Sequence, residues 1–269
     1  MTGKTQASID GRTVTIYPVD AADPLAFPVV YSTDYKEAGE EVLGHCAELG
    51  CAPFNLTVVS DIEWDQLLSP WPHEPVVEKD DKFEGRSPEY LAWLLGTVVP
   101  YAEGTLGGTP AASYVSGYSM AGLFSVWTLY QTDFFAGAVC GSGSLWYPGM
   151  REYALNSELA CLTRGETLRG VYFSLGDRET KVKNPVLQTT EDVMHDLIDR
   201  YAQLGIPCTF ESNPGNHFRD VSLRMAKGLT WLLAQYPDRR PSTPSTRCRT
   251  PTCAGPRCAP RPTPRSTGA

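Results

Sequence analysis

The chain has 269 residues, 42% of them hydrophobic and 20% charged, with a formal net charge of −8. That supplies apolar material for one large core, while the acidic balance excludes a basic footprint for nucleic acid and disfavours an anionic membrane surface. No run of about 18 apolar residues offers a membrane span, and the start, Met1-Thr-Gly-Lys-Thr-Gln-Ala-Ser, lacks the apolar stretch of a secretory signal, so a cytoplasmic location is expected.

Phe27-Pro-Val-Val-Tyr-Ser is the first strand candidate, and Phe54-Asn-Leu-Thr-Val-Val-Ser the second. Ser113-Tyr-Val-Ser leads into a glycine-bounded turn, and Leu123 to Tyr130 is apolar nearly all round, which predicts a helix buried on every side. Phe135-Ala-Gly-Ala-Val-Cys-Gly-Ser and Gly170-Val-Tyr-Phe-Ser-Leu-Gly are further strands. Residues 184–204 place Val186, Thr190, Val193, Leu197, Tyr201 and Leu204 on one helical face, and Gly205 stops that helix. Pro207-Cys-Thr-Phe-Glu is a last strand, and residues 220–236 repeat the helical period with Val221, Met225, Leu229, Leu232 and Tyr236. Alternating strands and helices predict a mostly parallel sheet flanked by helices.

Composition changes after residue 236. Residues 237–269 hold eight prolines and seven arginines, with no Leu, Ile, Val or aromatic residue. Such a segment buries too little to offset its ordering entropy and is expected to be a disordered tail. The expected division is therefore one domain over residues 1–236 and a tail over 237–269. Seven arginines against Asp238 give the tail a net charge of +6, which leaves −14 on the rest. Cys248, Cys253 and Cys258 in the tail lack a histidine to complete a metal site, and the other five cysteines show no CxxC spacing. These eight are read as thiols in a reducing compartment.

Gly117-Tyr118-Ser119-Met120-Ala121-Gly122 lies between a strand and the buried helix. A serine hydroxyl becomes a nucleophile when a base takes its proton, a third group orients that base, and donors meet the developing oxyanion. The strand–turn–helix context is that of the nucleophile elbow G-x-S-x-G, with Ala121 in place of the last glycine. The order serine, acid, histidine of the α/β-hydrolase fold then points downstream. Asp177 and Glu179 follow a strand end, and Gly176-Asp-Arg-Glu179 fits a G-x-x-E spacing, which favours Glu179 with Asp177 as the alternative acid. His217 lies in a loop between the last strand and the last helix, whereas His45 and His195 fall in helical segments and His73 in a proline-rich loop. The oxyanion donors are expected to be the N–H of Met120 and one from Ser32-Thr33-Asp34-Tyr35, with Tyr35 as the candidate. Trp71, Trp146 and Tyr118 are candidates for lining a substrate pocket.

Several segments together resemble one esterase family, which includes esterase D, enterochelin esterases and feruloyl esterases. They are Trp64, Ser69-Pro-Trp-Pro72, Gly117-Tyr-Ser-Met-Ala-Gly-Leu-Phe124, Ser142-Gly-Ser-Leu-Trp-Tyr-Pro148, Ser174-Leu-Gly-Asp-Arg-Glu179 and Asn213-Pro-Gly-Asn-His-Phe218. The resemblance spans roughly residues 27 to 236 and is closest to bacterial members of the family. It implies a single-domain α/β-hydrolase in which a Ser–acid–His triad hydrolyses a small-molecule ester without cofactor or metal. Members often carry His before the serine, where this chain has Tyr118, and glycines after the first strand, where it has none. An acyltransferase with the same triad and a non-catalytic ligand-binding protein of this fold are the alternatives.

Overall fold

The computed structural model describes residues 3–77 and 82–235. The proline- and arginine-rich tail, its three cysteines and Tyr236 lie outside the described residues. No helix among the described residues is long and apolar enough to cross a membrane.

The chain opens on a hairpin, β1 (Thr5–Ile9) and β2 (Arg12–Tyr17), which the strand candidates above did not include. Asp10 and Gly11 join its strands with φ of 51° and 79°, the pair of positive φ values that a two-residue hairpin turn requires. Strand β3 (Val29–Thr33) follows, then α1 (Gly39–Glu48), β4 (Asn55–Ser60) and α2 (Trp64–Leu68). The two-residue strands β5 (Pro72–His73) and β6 (Phe83–Glu84) pair with each other, so His73 lies in a short ribbon. Helices α3 (Ser87–Trp93) and α4 (Val99–Leu106) are joined by a π-helical turn over Leu94–Val98.

The remaining strands are β7 (Ser113–Tyr118), β8 (Gly137–Gly141), β9 (Gly170–Gly176) and β10 (Cys208–Asn213). Between and after them run α5 (Met120–Thr128), α6 (Met150–Asn156), α7 (Thr190–Gln203) and α8 (Val221–Ala234). The period over residues 184–204 begins with a 3₁₀ turn, Leu187–Thr189, so α7 proper starts at Thr190. All nine residues of α5 are buried, as a segment apolar nearly all round predicts.

Eight strands form one sheet in the order β1-β2-β4-β3-β7-β8-β9-β10. Strand β2 runs antiparallel to both neighbours, and every pair from β4 to β10 is parallel. A parallel sheet must be covered on both faces. Helices α1 and α8 cover one face over Val30, Leu56, Val58, Tyr114, Val139 and Tyr172. Helices α2 to α7 cover the other, where the larger core lies. This is the α/β-hydrolase architecture expected from the sequence. After β3 the chain crosses to β4 on one side, then returns to β7 on the other. That reversal opens a crevice at the carboxyl ends of β3 and β7, where ligands bind in open α/β sheets.

Candidate active site

Ser119 stands at the carboxyl end of β7 with φ 60° and ψ −123°, in a region non-glycine residues rarely enter. Its N–H donates to Gly141 O (3.0 Å), and its carbonyl accepts from Leu123 N–H (3.1 Å), so both neighbouring elements hold the turn. Close packing explains the sequence around it. A Cβ on Gly117 would lie 2.6 Å from the Cβ of Ala121, so the glycine before the serine makes room for the alanine after it. Met120 is the first residue of α5, and its N–H has no acceptor within the helix.

Three strand ends converge on the serine. His217 Nε2 lies 3.0 Å from Ser119 Oγ, and its Nδ1 lies 2.7 Å from Glu179 Oε2. The other oxygen, Glu179 Oε1, accepts from Gly176 N–H at 2.7 Å, Ser142 Oγ–H at 2.7 Å and Arg224 Nη1 at 3.0 Å. Asp177 is turned elsewhere: its Oδ1 accepts the N–H of Gly215 at 2.8 Å and shapes the loop that carries His217. Burial raises the pKa of Glu179. The hydrogen bond and charge of His217, with the donors Ser142 and Gly176, outweigh it and hold the carboxyl below its ordinary value.

Arg224 was not among the residues singled out from the sequence. It lies on α8 three residues after Val221, within the apolar stripe, and is 1% exposed. A charge inside a buried stripe was the available signal. Its guanidinium donates to Glu179, to Ser142 Oγ (3.2 Å), to Tyr118 Oη (2.8 Å) and to the carbonyls of Pro214 and Asn216. Tyr118 in turn donates from its hydroxyl to His217 O at 2.7 Å. Tyr118 thus ties the elbow to the histidine loop.

A cleft of about 980 Å³ opens over this line of side chains. Ser119, Met120, Glu179, His217, Tyr118, Trp146 and Tyr35 all line it. Tyr35 is 70% exposed and packs edge-on against Trp64 at the rim. Trp71, expected in the pocket, does not line it. Its indole packs on Tyr147 and Tyr153 and donates to Pro148 O at 2.9 Å, so it braces the loop that carries Trp146. The cleft also holds Asp34, whose pKa is pushed up to about 6 by burial, against the opposing hydrogen bonds from Ser32 and Ala38. Among the described residues no group of three or more His, Cys, Asp or Glu side chains could hold a metal ion. Chemically, the line can pass a proton from a hydroxyl to an imidazole that a buried carboxylate orients.

No family model and no curated protein matches this sequence. Solved structures match its fold. An IroE-like serine hydrolase from Shewanella oneidensis is 15% identical, with 86% of this chain and 80% of that one aligned at a TM-score of 0.66. The siderophore hydrolase EstA from Aspergillus nidulans is 14% identical over 86% of this chain and 94% of that one, at 0.65. The enterobactin esterase FES from Shigella flexneri is 14% identical over 86% of this chain and 59% of that one, at 0.56. At such identities the likeness establishes the α/β-hydrolase fold. The motif resemblance and the likeness in three dimensions fall on the same group of proteins.

Proposed function

We propose that this protein is a serine-dependent carboxylic ester hydrolase acting on a small-molecule ester, with Ser119 as nucleophile, His217 as general base and acid, and Glu179 as the orienting carboxylate. The observation that carries this reading is the unbroken line Ser119 Oγ–His217 Nε2–His217 Nδ1–Glu179 Oε2, at 3.0 and 2.7 Å, on a backbone turn with positive φ. A non-catalytic binding protein has no physical need for a strained serine aimed at an oriented imidazole. The fold neighbours bear the names of serine hydrolases and esterases, which supports the same reading.

In this mechanism Ser119 Oγ bonds to the ester carbonyl carbon as its proton passes to His217 Nε2. The carbonyl π electrons move onto oxygen, and the N–H groups of Met120 and Tyr35 donate hydrogen bonds to that oxyanion. Collapse breaks the carbon–alkoxy bond, and the imidazolium returns its proton to the leaving alkoxide. Water, deprotonated by His217, then attacks the acyl-enzyme. The acid and Ser119 Oγ–H are released. Glu179, held by three donors on its other oxygen, keeps Nδ1 protonated so that Nε2 remains the acceptor.

Labelling with a fluorophosphonate probe and assay of p-nitrophenyl acetate test this directly. The parent protein is expected to label and turn over, and Ser119→Ala to lose labelling and about 10⁴-fold or more of kcat. A Ser119→Ala protein that keeps more than about a tenth of the rate would exclude Ser119 as the nucleophile.

A further inference from the structure

The cleft has two arms. The outer one opens to solvent among Tyr35, Trp64, Trp146 and Phe218. The inner one runs between α1 and α8 with the sheet as its floor. Its walls are Val42 of α1, Leu56 and Val58 of β4, and Val221, Met225 and Leu229 of α8. The pattern is systematic. Residues two apart on β4 share one face of the sheet, and residues four apart on α8 share one side of the helix.

Strand register gives the arm two levels. Val58 lies level with Ser32 and Ser116, while Leu56 lies level with Val30 and Tyr114, farther from Ser119. The upper level carries two hydroxyls: Ser32 Oγ donates to Asp34, and Ser116 Oγ has no partner among the described residues. The rest of the wall is aliphatic. Leu56, Val58 and Leu229 are each 1% exposed, so the inner end of the arm is shut off from bulk solvent. A hydrogen bond from Ser222 Oγ to Glu41 Oε2 (2.8 Å) holds α1 and α8 at this spacing. Apolar walls of this kind favour apolar guests.

Resting on the hydrolase reading above, we propose that the inner arm receives an unbranched aliphatic chain of the substrate, so that the preferred esters are medium-chain aliphatic ones. An aliphatic wall of this kind matches a chain of methylenes. From Val221 to Leu229 the arm follows about 12 Å of α8, room for a chain of roughly eight carbons. Leu229 sets the limit.

The test is a series of p-nitrophenyl esters from acetate to dodecanoate, with ethyl and octyl acetate as a second series. We expect kcat/KM to rise about threefold per added methylene up to about octanoate, then to fall. Leu229→Trp is expected to move the optimum to butanoate or shorter, and Leu229→Ala to move it beyond octanoate. If octyl acetate is strongly preferred over ethyl acetate while the acyl series is flat, the chain in the arm belongs to the alcohol and the proposal stands. Flat or falling behaviour in both series, in a protein that hydrolyses acetate, overturns the proposal and leaves the hydrolase reading intact. Calorimetry on Ser119→Ala makes the distinction without turnover. Octanoate is expected to bind at least about tenfold more tightly than butanoate, and equal affinity overturns the proposal even if no ester is hydrolysed.

Discussion

Glu179 divides its two oxygens between two tasks, and that division sets what each substitution does. One oxygen is filled by three donors and the other faces His217. In Glu179→Gln the amide oxygen stays with the three donors, and the amide NH₂ points at Nδ1. The imidazole then adopts the tautomer with its proton on Nε2, which cannot accept from Ser119. We expect kcat to fall by at least about 10²-fold with little change in KM. Asp177→Asn keeps an oxygen for the N–H of Gly215 and is expected to stay within about tenfold. The reverse ranking would assign the acid to Asp177. Arg224→Met leaves Glu179 buried with one donor fewer. Its pKa then rises, so the acid limb of the kcat profile is expected to move to higher pH, and stability to fall by about 3 kcal/mol or more. An unchanged limb with lower stability would reduce Arg224 to a packing role.

At the scale of elements, the β7–α5 turn was legible because its constraints are local. A strand, a glycine, a serine and a helix apolar on all sides follow one another directly, and the helix is buried throughout. Gly117→Ala tests that turn. The added Cβ meets the backbone and Cβ of Ala121. The elbow must therefore shift, and we expect a loss of about 1–3 kcal/mol in urea melts together with a fall in kcat. Unchanged values of both would mean that the close approach is not rigid. The N-terminal hairpin carried an Asp10-Gly11 turn signal but short strands of mixed polarity, and β1 reads as half-buried at best. Its place beside β4 comes from long-range pairing that no local pattern encodes. Trp71 was misread for the same reason: a tryptophan between prolines in a loop can line a cleft or brace one, and contacts distant in sequence decided for bracing.

For the whole molecule, two carboxyls in one cleft pull stability in opposite directions with pH. Glu179 has a folded pKa below its ordinary 4.5. Its contribution is present above that value and is lost as pH falls through the lower, folded one. Asp34 is raised from 3.8 to about 6. Its contribution is present below 3.8 and is lost as pH rises through about 6. Urea melts of the parent and Asp34→Asn at pH 4 and pH 7 separate the two. The variant is expected to gain about 1–2 kcal/mol on the parent between those pH values, a partial share of the full two-unit shift because the group is not wholly shielded from solvent. A constant difference between the proteins would remove Asp34 as a source of pH dependence.

The sequence by itself determined the alternation of strands and helices, the burial of α5 and the chain order in which a serine, two acids and a histidine follow strand ends. Those are properties of period and neighbour, and a linear pattern carries them. Tertiary structure alone decided which carboxylate faces His217, because Asp177 and Glu179 differ by two residues in one loop and only the positions of Gly215, Ser142 and Arg224 turn one toward the imidazole. It also decided where Arg224 lies and where the inner arm of the cleft runs. Both arise from α8 packing over the sheet beside α1, with Cys46 and Ala226 in contact 180 residues apart, and side chains brought together across that separation leave no periodic trace in the chain.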